Sequence, residues 1–534
     1  MEIKNKLFNK EISGPFTIPS GIVATEVPVL EKIANEIPEI GILTTKSIGS
    51  EPKEGNKEPI IAQFSPFSFI NAVGLTNPGA EEFAKKLSKI KIPNDKFLLV
   101  SIFGSNEEEF KDVAKKLYDF ADGFELNISC PHSDKYGQVI GQDKYLTAKI
   151  IGKISSLGKP VFIKLSPNLD IKETVKYAIK AGISGITAIN TMGPETYLHD
   201  NYPVLSNKIG GISGKAILDI GIESIRKIRR ITNLPIIACG GISTAKDVKR
   251  YKEAGADFFG VGSSLAGMNT EEMKRYFQEL LKDIENDAKN AEIFLEEKLN
   301  MKYGRFGIKD NKQLAEDLFL LVFDEDIKIK PGQFIFAWLP EKGEKPFSVF
   351  DDEPLTLLFQ KRGHFTNELS KLKKGDIVYI RGPYGNSPKI NGKILLVGGG
   401  TGIAALYLYA KRNEKTSAIL GAKDKQHLLY EKFKPLCENL YLSTESGDIG
   451  DKGFATDRLE KIIENKKTDY CINCGPEPMV KAAISKENKY LSLDKIYSSI
   501  ELLTKCGIGL CGSCATSKGY RSCVDGNFFR PNQI

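Results

Sequence analysis

The sequence has little that would tie it to a membrane or to a nucleic acid. Its longest apolar run, Ile394 to Ala410, is interrupted by four glycines and falls short of the roughly 20 residues needed to span a bilayer. The opening Met1-Glu2-Ile3-Lys4-Asn5-Lys6 lacks the apolar core of a signal peptide, and Glu2 excludes a myristoylation signal. No membrane partner is expected. The formal charge of +7 is spread over a chain rich in both Lys and Glu, without a block of like charge or a helix-turn-helix. No nucleic-acid partner is expected either, and partner-binding repeats are missing. Cysteine gives no disulfide framework: of nine in all, four sit together near the C-terminus, a usage that fits a reducing cytoplasm. What remains is ordinary for a globular protein, with 41% hydrophobic and 27% charged residues. At 534 residues the chain exceeds one core and predicts several domains.

The cysteine run organises the reading of the rest. Cys506-Gly507-Ile508-Gly509-Leu510-Cys511-Gly512-Ser513-Cys514, with Cys523 after a further eight residues, has the C-x4-C-x2-C…C spacing of a plant-type [2Fe-2S] cluster. Thiolates satisfy the tetrahedral irons, and glycines let the backbone wrap closely round the sulfides. A zinc knuckle is the alternative. Zinc sites usually show two paired motifs, however, and here only Cys511 and Cys514 form a C-x2-C pair. A cluster does no organic chemistry alone, so the remaining chain should supply an electron source and an electron sink.

From about residue 15 to 285, short apolar runs alternate with amphipathic Lys/Glu-rich segments, which predicts buried parallel strands and covering helices. The expected strands include Phe97–Ile102, Gly123–Asn127, Val161–Leu165, Ile186–Ile189, Ile236–Ala238 and Phe258–Val261. A (β/α)8 barrel needs about 250 residues and carries its active site where strands end. Lys46, Asn127, Lys164, Asn190 and Thr191 fall at such ends. Gly240-Gly241 and Gly262-Ser263 follow the last two strands, the usual place for a phosphate held by backbone N–H groups, although Gly-Gly loops also serve as plain turns.

Asn127-Ile128-Ser129-Cys130-Pro131-His132 is joined by Thr45-Lys46-Ser47-Ile48-Gly49, Asn71-Ala72-Val73-Gly74-Leu75 and Gly210-Gly211-Ile212-Ser213-Gly214. In that combination the first 270 residues resemble the class 1 dihydroorotate dehydrogenases. The resemblance implies FMN in the barrel mouth, with its phosphate on Gly240, Gly241, Gly262 and Ser263. Its ring would lie near Ser20, Lys46, Asn127 and Lys164, with Gly21, Ser47, Ile189 and Gly214 as further cofactor-binding residues. It also implies Cys130 as the base, Lys46 and Lys164 as charge stabilisers, and a pyrimidine held by Lys46, Asn71, Gly74, Leu75, Asn127, His132, Asn190 and Thr191. A solvated strand-end lysine, a buried structural cysteine and an asparagine turn are the plain readings of the same residues. His132 departs from the Asn of many relatives and, with Gly141-Gln142-Asp143, also resembles dihydropyrimidine dehydrogenases; the Asn71–Leu75 segment favours dihydroorotate.

Residues 285–300 are polar and read as the join. Beyond them strands without crossover helices, Leu318–Phe323, Gln333–Ala337 and Ile377–Ile380, predict an antiparallel β-barrel. Lys345-Pro346-Phe347-Ser348, Gly363-His364-Phe365-Thr366 and Gly382-Pro383-Tyr384-Gly385 resemble the FAD domain of the ferredoxin-NADP reductase superfamily. This implies FAD at Lys345, Pro346, Phe347, Ser348, Gly363 and Thr366. Lys345 replaces an Arg of many relatives and loses its bidentate phosphate contact. After Lys393 a strand, a glycine turn (Gly399-Gly400-Thr401-Gly402) and a helix start suit a pyrophosphate, without the third glycine of the strict dinucleotide fingerprint, and Asn473–Met479, with Cys474-Gly475, resembles the nicotinamide-side motif of the same superfamily, which implies NAD. Lys423 and Lys425 leave NADP open, and the Cys471/Cys474 spacing is read as a strand end rather than a second metal site. The C-terminus resembles the electron-transfer subunit of class 1B dihydroorotate dehydrogenase.

The expectation is a multidomain α/β fusion with four parts. Residues 1–295 form an FMN-binding TIM barrel and 296–389 an FAD domain; 390–490 form an NAD domain and 491–534 a [2Fe-2S] domain whose ligands are Cys506, Cys511, Cys514 and Cys523. Its partners are small molecules, its state a homodimer or higher homo-oligomer. The alternatives are a uracil or thymine reductase using NAD(P)H and a non-metabolic redox-sensing flavoprotein.

Overall fold

The computed structural model describes residues 5–128, 138–286, 299, 301–465 and 467–534. The chain divides into two compact units, Met1–Leu299 with Ile508–Ala515, and Asn300–Gly507 with Thr516–Ile534.

The first unit is built on eight parallel strands, β1 Phe16–Ile18, β2 Ile40–Thr44, β3 Phe97–Ile102, β4 Gly123–Asn127, β5 Val161–Leu165, β6 Gly185–Ala188, β7 Ile236–Cys239 and β8 Phe258–Gly260. They pair in chain order and close β8 onto β1, giving the expected (β/α)8 barrel. Each is largely apolar with every residue buried, as strands covered on both faces should be. The helices between them bury one stripe each. The helix Glu107–Leu117 turns Phe110, Val113, Ala114 and Leu117 inward, and Asn106 caps it by accepting from the N–H groups of Glu108 and Glu109. Above the barrel, Ile61–Ser65, Ser68–Asn71, Gly210–Gly214 and Met192–Glu195 form a small antiparallel sheet, which sets Asn71 opposite Gly211.

The second unit contains two sheets. Seven antiparallel strands run in the spatial order Gly343–Ser348, Phe334–Leu339, Ile377–Tyr384, Gly304–Gln313, Leu318–Phe323, Leu355–Gln360 and Asp351–Asp352. The ladder is open between its two outer strands: one contains Pro346, which has no N–H to donate, and the other is two residues long. A six-stranded parallel sheet follows, ordered Asp451–Lys452, Asn439–Thr444, Thr416–Ala422, Ile394–Gly399, Tyr470–Cys474 and Ile496–Ser499. Its last strand lies beyond residue 490, so the parallel sheet runs into the stretch read from sequence as the cluster domain. The two sheets share one core, in which Phe350 stacks on Tyr407 with ring centroids 4.4 Å apart. Among the described residues no helix is long and apolar enough to cross a membrane.

The barrel core leaves little slack. A Cβ at Gly185 would lie 2.2 Å from Cε1 of the buried Phe162 on the neighbouring strand. Gly185→Ala should therefore cost about 1–3 kcal/mol by overpacking, read as a lower midpoint in denaturant with an unchanged slope.

Candidate active site and cofactor cradles

The carboxyl ends of the barrel strands carry polar side chains that are tied to one another. Ser47, three residues beyond β2, is the centre of this set: its Oγ lies 3.0 Å from Ser20 Oγ and 2.9 Å from Ser101 Oγ, and accepts from Asn127 Nδ2 at 2.9 Å. Ser20 follows β1, Ser101 lies in β3, and Asn127 ends β4, so four successive strands are joined through side chains. Among the described residues Asn127 Oδ1 is buried with no hydrogen-bond partner, as are Glu125 Oε1 and Thr187 Oγ1. Unsatisfied buried acceptors of this kind call for an explanation, and a bound polar ligand supplies one for Asn127. Lys164 sits beside Asn127 in the β4–β5 register and is buried. Lys46 is buried too, with Nζ 3.9 Å from Glu26 Oε1. Burial pushes the Cys239 thiol up to about 12, so it stays protonated and is a packing residue.

The loops after β7 and β8 hold four of the expected phosphate residues. Gly240 and Gly241 have φ of 119° and 75°, and a Cβ on Gly241 would stand 2.7 Å from the carbonyl oxygen of Gly214. Tyr251 donates to Gly240 O at 2.7 Å. Asp247 Oδ2 accepts from the backbone and hydroxyl of both Ser243 and Thr244. Gly262 opens the turn Ser263–Leu265, and Ser264 Oγ donates to Ile242 O at 2.7 Å, which joins the two loops. Gly21 lies open beside this rim, with no atom within 4 Å of where a Cβ would be. Ile189 follows β6 and donates its N–H to Cys239 O at 2.9 Å.

The expected substrate residues come from several loops. Asn71 Nδ2 donates to Gly211 O at 3.2 Å, joining two motifs that are far apart in sequence. Gly74 and Leu75 both have positive φ, in a loop shaped by Asn56, which donates to Ala72 O, and by Asn77, which accepts from the N–H groups of Gly49 and Gly79. Asn190 accepts from the N–H of Thr191 at 2.9 Å, so its carbonyl oxygen already serves a turn. Cys130 and His132 lie outside the described residues. Asn56 closes the Glu51–Asn56 motif, which shares in the family resemblance, whereas Asp247, Asn77, Ser101 and Tyr251 were missed by sequence reasoning; of these, Asp247 left a signal, the Thr244-x-x-Asp247 capping box.

In the second unit, Ser348 ends an outer strand opposite Phe334, Phe347 packs its ring against Phe365, and Pro346 is half-buried beside an exposed Lys345. Thr366 Oγ1 accepts from the N–H groups of Arg362 and Gly363. The parallel sheet reverses its order between Ile394–Gly399 and Tyr470–Cys474, the position where such sheets bind nucleotides. The expected residues meet there. A Cβ on Gly402 would lie 2.6 Å from Cys474 O, and one on Gly475 would lie 3.1 Å from Gly399 Cα, so the two loops touch backbone to backbone. Gly400, at φ 53°, and Thr401 continue into the helix Ile403–Arg412. Cys474 is pushed up to about 11 by burial, and burial also raises Cys471, so neither offers a thiolate at neutral pH.

Cys506, Cys511, Cys514 and Cys523 are all buried. Gly507, Gly509 and Gly512 have φ of 81°, 76° and 69°, a left-handed conformation suited to a loop wrapped round a cluster. Thr25 Oγ1 donates to Cys511 O at 2.7 Å, and the loop before Cys523 is closed by the Thr516 N–H to Tyr520 O at 2.7 Å. Cys506, Cys511 and Cys514 lie on a glycine-rich stretch and Cys523 in the short helix Ser522–Asp525, and four thiols at this spacing in sequence suit an iron-sulfur cluster chemically. Among the described residues no three His, Cys, Asp or Glu side chains are drawn together into a metal-binding group. The fit therefore rests on donor chemistry, spacing and loop conformation.

A closed (β/α)8 barrel with polar groups gathered at its rim defines a barrel enzyme of the kind that works on small molecules. Residues 2–284 match the family described as dihydroorotate dehydrogenase, and the chain belongs to that family. A protein of Methanocaldococcus jannaschii, described as "Dihydroorotate dehydrogenase B (NAD(+)), catalytic subunit", is 36% identical over 307 residues, covering 56% of this chain and 98% of the relative. A Pyrococcus abyssi protein of the same description is 38% identical over 262 residues, 48% of this chain and 86% of the relative. A Thermococcus kodakarensis protein described as "Probable dihydroorotate dehydrogenase B (NAD(+)), electron transfer subunit" is 39% identical over 232 residues, 42% of this chain and 96% of the relative. The chain thus resembles both subunits, as a fusion of the two would.

Behind the glycine contact lies a buried carboxyl. Burial raises Glu487 from 4.5 to about 7, partly opposed by a 2.7 Å hydrogen bond from Asn473. Between those pH values the folded chain holds a proton that the unfolded chain has released, so stability falls as pH rises through this window and levels off above it. Glu487→Gln should flatten that slope, which is worth at most about 3 kcal/mol, in denaturation measured across the window.

Proposed function

We infer that the chain oxidises dihydroorotate to orotate and delivers the electrons to NAD. The observation that carries this reading is the hydrogen-bonded rim of Ser20, Ser47, Ser101 and Asn127, with Lys164 beside it, in a barrel of the dihydroorotate dehydrogenase family. The tandem likeness to a catalytic and an electron-transfer subunit supports the NAD arm.

The reaction removes a proton from C5 of the substrate and a hydride from C6. In this reading FMN supplies the hydride acceptor, the [2Fe-2S] cluster a one-electron carrier, and FAD the return to two-electron chemistry with NAD. Residues 1–295 would hold FMN, 296–389 FAD, 390–490 NAD, and the segment from 491 onward the cluster. Cys130 takes the C5 proton. Lys46 offers a buried cation to the substrate carboxylate, while Asn71, Asn127 and Asn190 present amide groups to the planar pyrimidine. Gly74, Leu75 and Thr191 would shape the same pocket, and His132 is the further substrate residue that the sequence offers. The N–H groups of Gly240, Gly241, Gly262 and Ser263 would orient a phosphate. Lys164 stabilises negative charge deep in the barrel, where burial strengthens its field. At the other end, Gly399, Gly400, Thr401, Gly402, Cys474 and Gly475 offer a close backbone approach to a dinucleotide.

Purified chain should reduce NAD on addition of dihydroorotate; turnover of uracil but not of dihydroorotate contradicts the assignment. Cys130→Ala should lower dihydroorotate turnover by at least about a hundredfold, the usual contribution of a general base, while NADH-driven dye reduction persists. Cys523→Ser should separate the two half-reactions, leaving each with its own artificial partner but abolishing NAD reduction by dihydroorotate.

A further inference from the structure

The second unit contains a buried ion pair that none of the proposed chemistry uses. Arg381 and Glu344 meet in a bidentate contact, Nε to Oε1 at 2.6 Å and Nη2 to Oε2 at 2.7 Å, with side-chain exposures of 1% and 0%. Tyr303 donates to Glu344 Oε1 at 2.6 Å, and the guanidinium lies 4.1 Å from the ring centroid of Phe336. Two of the three guanidinium nitrogens and one face are thereby engaged. A buried pair of this kind contributes little that well-packed apolar side chains would not, so stability alone does not account for it.

The remaining nitrogen shows what it is aimed at. Arg381 Nη1 donates to Tyr384 Oη and to the carbonyl oxygen of Cys506, both at 3.0 Å. Gly507 makes this approach possible: a Cβ there would stand 2.8 Å from Phe336 Cε2 and 3.2 Å from Arg381 Nη1, and its φ is 81°. The same stretch reaches a second cysteine. Gly385 donates its N–H to Cys523 O at 3.1 Å, and Asn386 Nδ2 donates to Val524 O at 2.7 Å. Residues Arg381–Asn386 therefore bind the backbone at both the first and the last cysteine of the run.

We propose that Arg381, locked by Glu344, is a positioning residue for the cluster loop: it fixes the backbone at Cys506 and turns the cationic end of the ion pair toward that ligand, which favours the reduced cluster. The proposal rests on the reading of Cys506 and Cys523 as cluster ligands. Hydrogen bonds and net charge around a cluster tune its potential, and loss of an outer partner typically costs 10–100-fold in metal affinity.

The test uses the full chain, purified without oxygen. Iron and sulfide are counted, the cluster potential is measured by an EPR-monitored redox titration, and cluster loss to a chelator is timed. The double variant Arg381→Met/Glu344→Gln removes both charges together and so avoids stranding either. It should melt near the wild type yet show a more negative midpoint potential, altered EPR g-values and about tenfold or faster cluster loss. Arg381→Lys keeps the charge but not the fork; it should hold the potential close to wild type while losing the cluster faster, and it decides the matter should the double variant fail to fold. Unchanged potential and chelator kinetics in the folded variants overturn the proposal and leave the cluster assignment standing. A wild-type chain without iron overturns both.

Discussion

Closure of a parallel ladder brings the carboxyl ends of eight strands round a single rim, and the first unit depends on that constraint. Because β1 to β8 pair in chain order, groups separated by more than a hundred residues become neighbours without any long-range design of their loops. Ser47 shows the consequence: one hydroxyl links residues that follow β1, lie within β3 and end β4. Asn127 and Lys164 end up side by side because β4 and β5 share a register. A slip of one residue would turn both away from the rim.

The same geometry governs the parallel sheet of the second unit in another form. A parallel sheet that reverses its order opens a crevice at the ends of two adjacent strands, and here the crevice is lined by glycines because backbones touch there. Gly402 against Cys474 and Gly475 against Gly399 leave no room for a β-carbon. At the cysteine run, glycine has another use, letting Gly507 settle on a guanidinium and an aromatic ring. In both places the residue that matters is the one with nothing to show.

Much of the first unit was legible from sequence because buried parallel strands are uniform apolar runs. Phe97–Ile102, Gly123–Asn127 and Val161–Leu165 stand where the periodicity puts them, and the others differ by a residue or two at their ends. The rim residues named by motif also lie at those ends. Residues that position the site by tertiary contact were not legible. Ser101 reads as part of an apolar strand, Tyr251 as one aromatic on a helix, and Arg381 as a charge before a Pro-containing turn. Their roles arise from partners 54, 11 and 125 residues away. The last parallel strand, Ile496–Ser499, was hidden for a similar reason, since its two serines mask a strand that is buried throughout.

The central claim is that one chain carries a substrate-oxidising half and an electron-exporting half. The most direct test is a cofactor count on the purified chain, combining absorbance, mass analysis of released flavins, and iron and sulfide determination. The account predicts FMN and FAD in equal amounts with about two irons and two sulfides per chain. FMN without FAD, or flavins without iron, would contradict it.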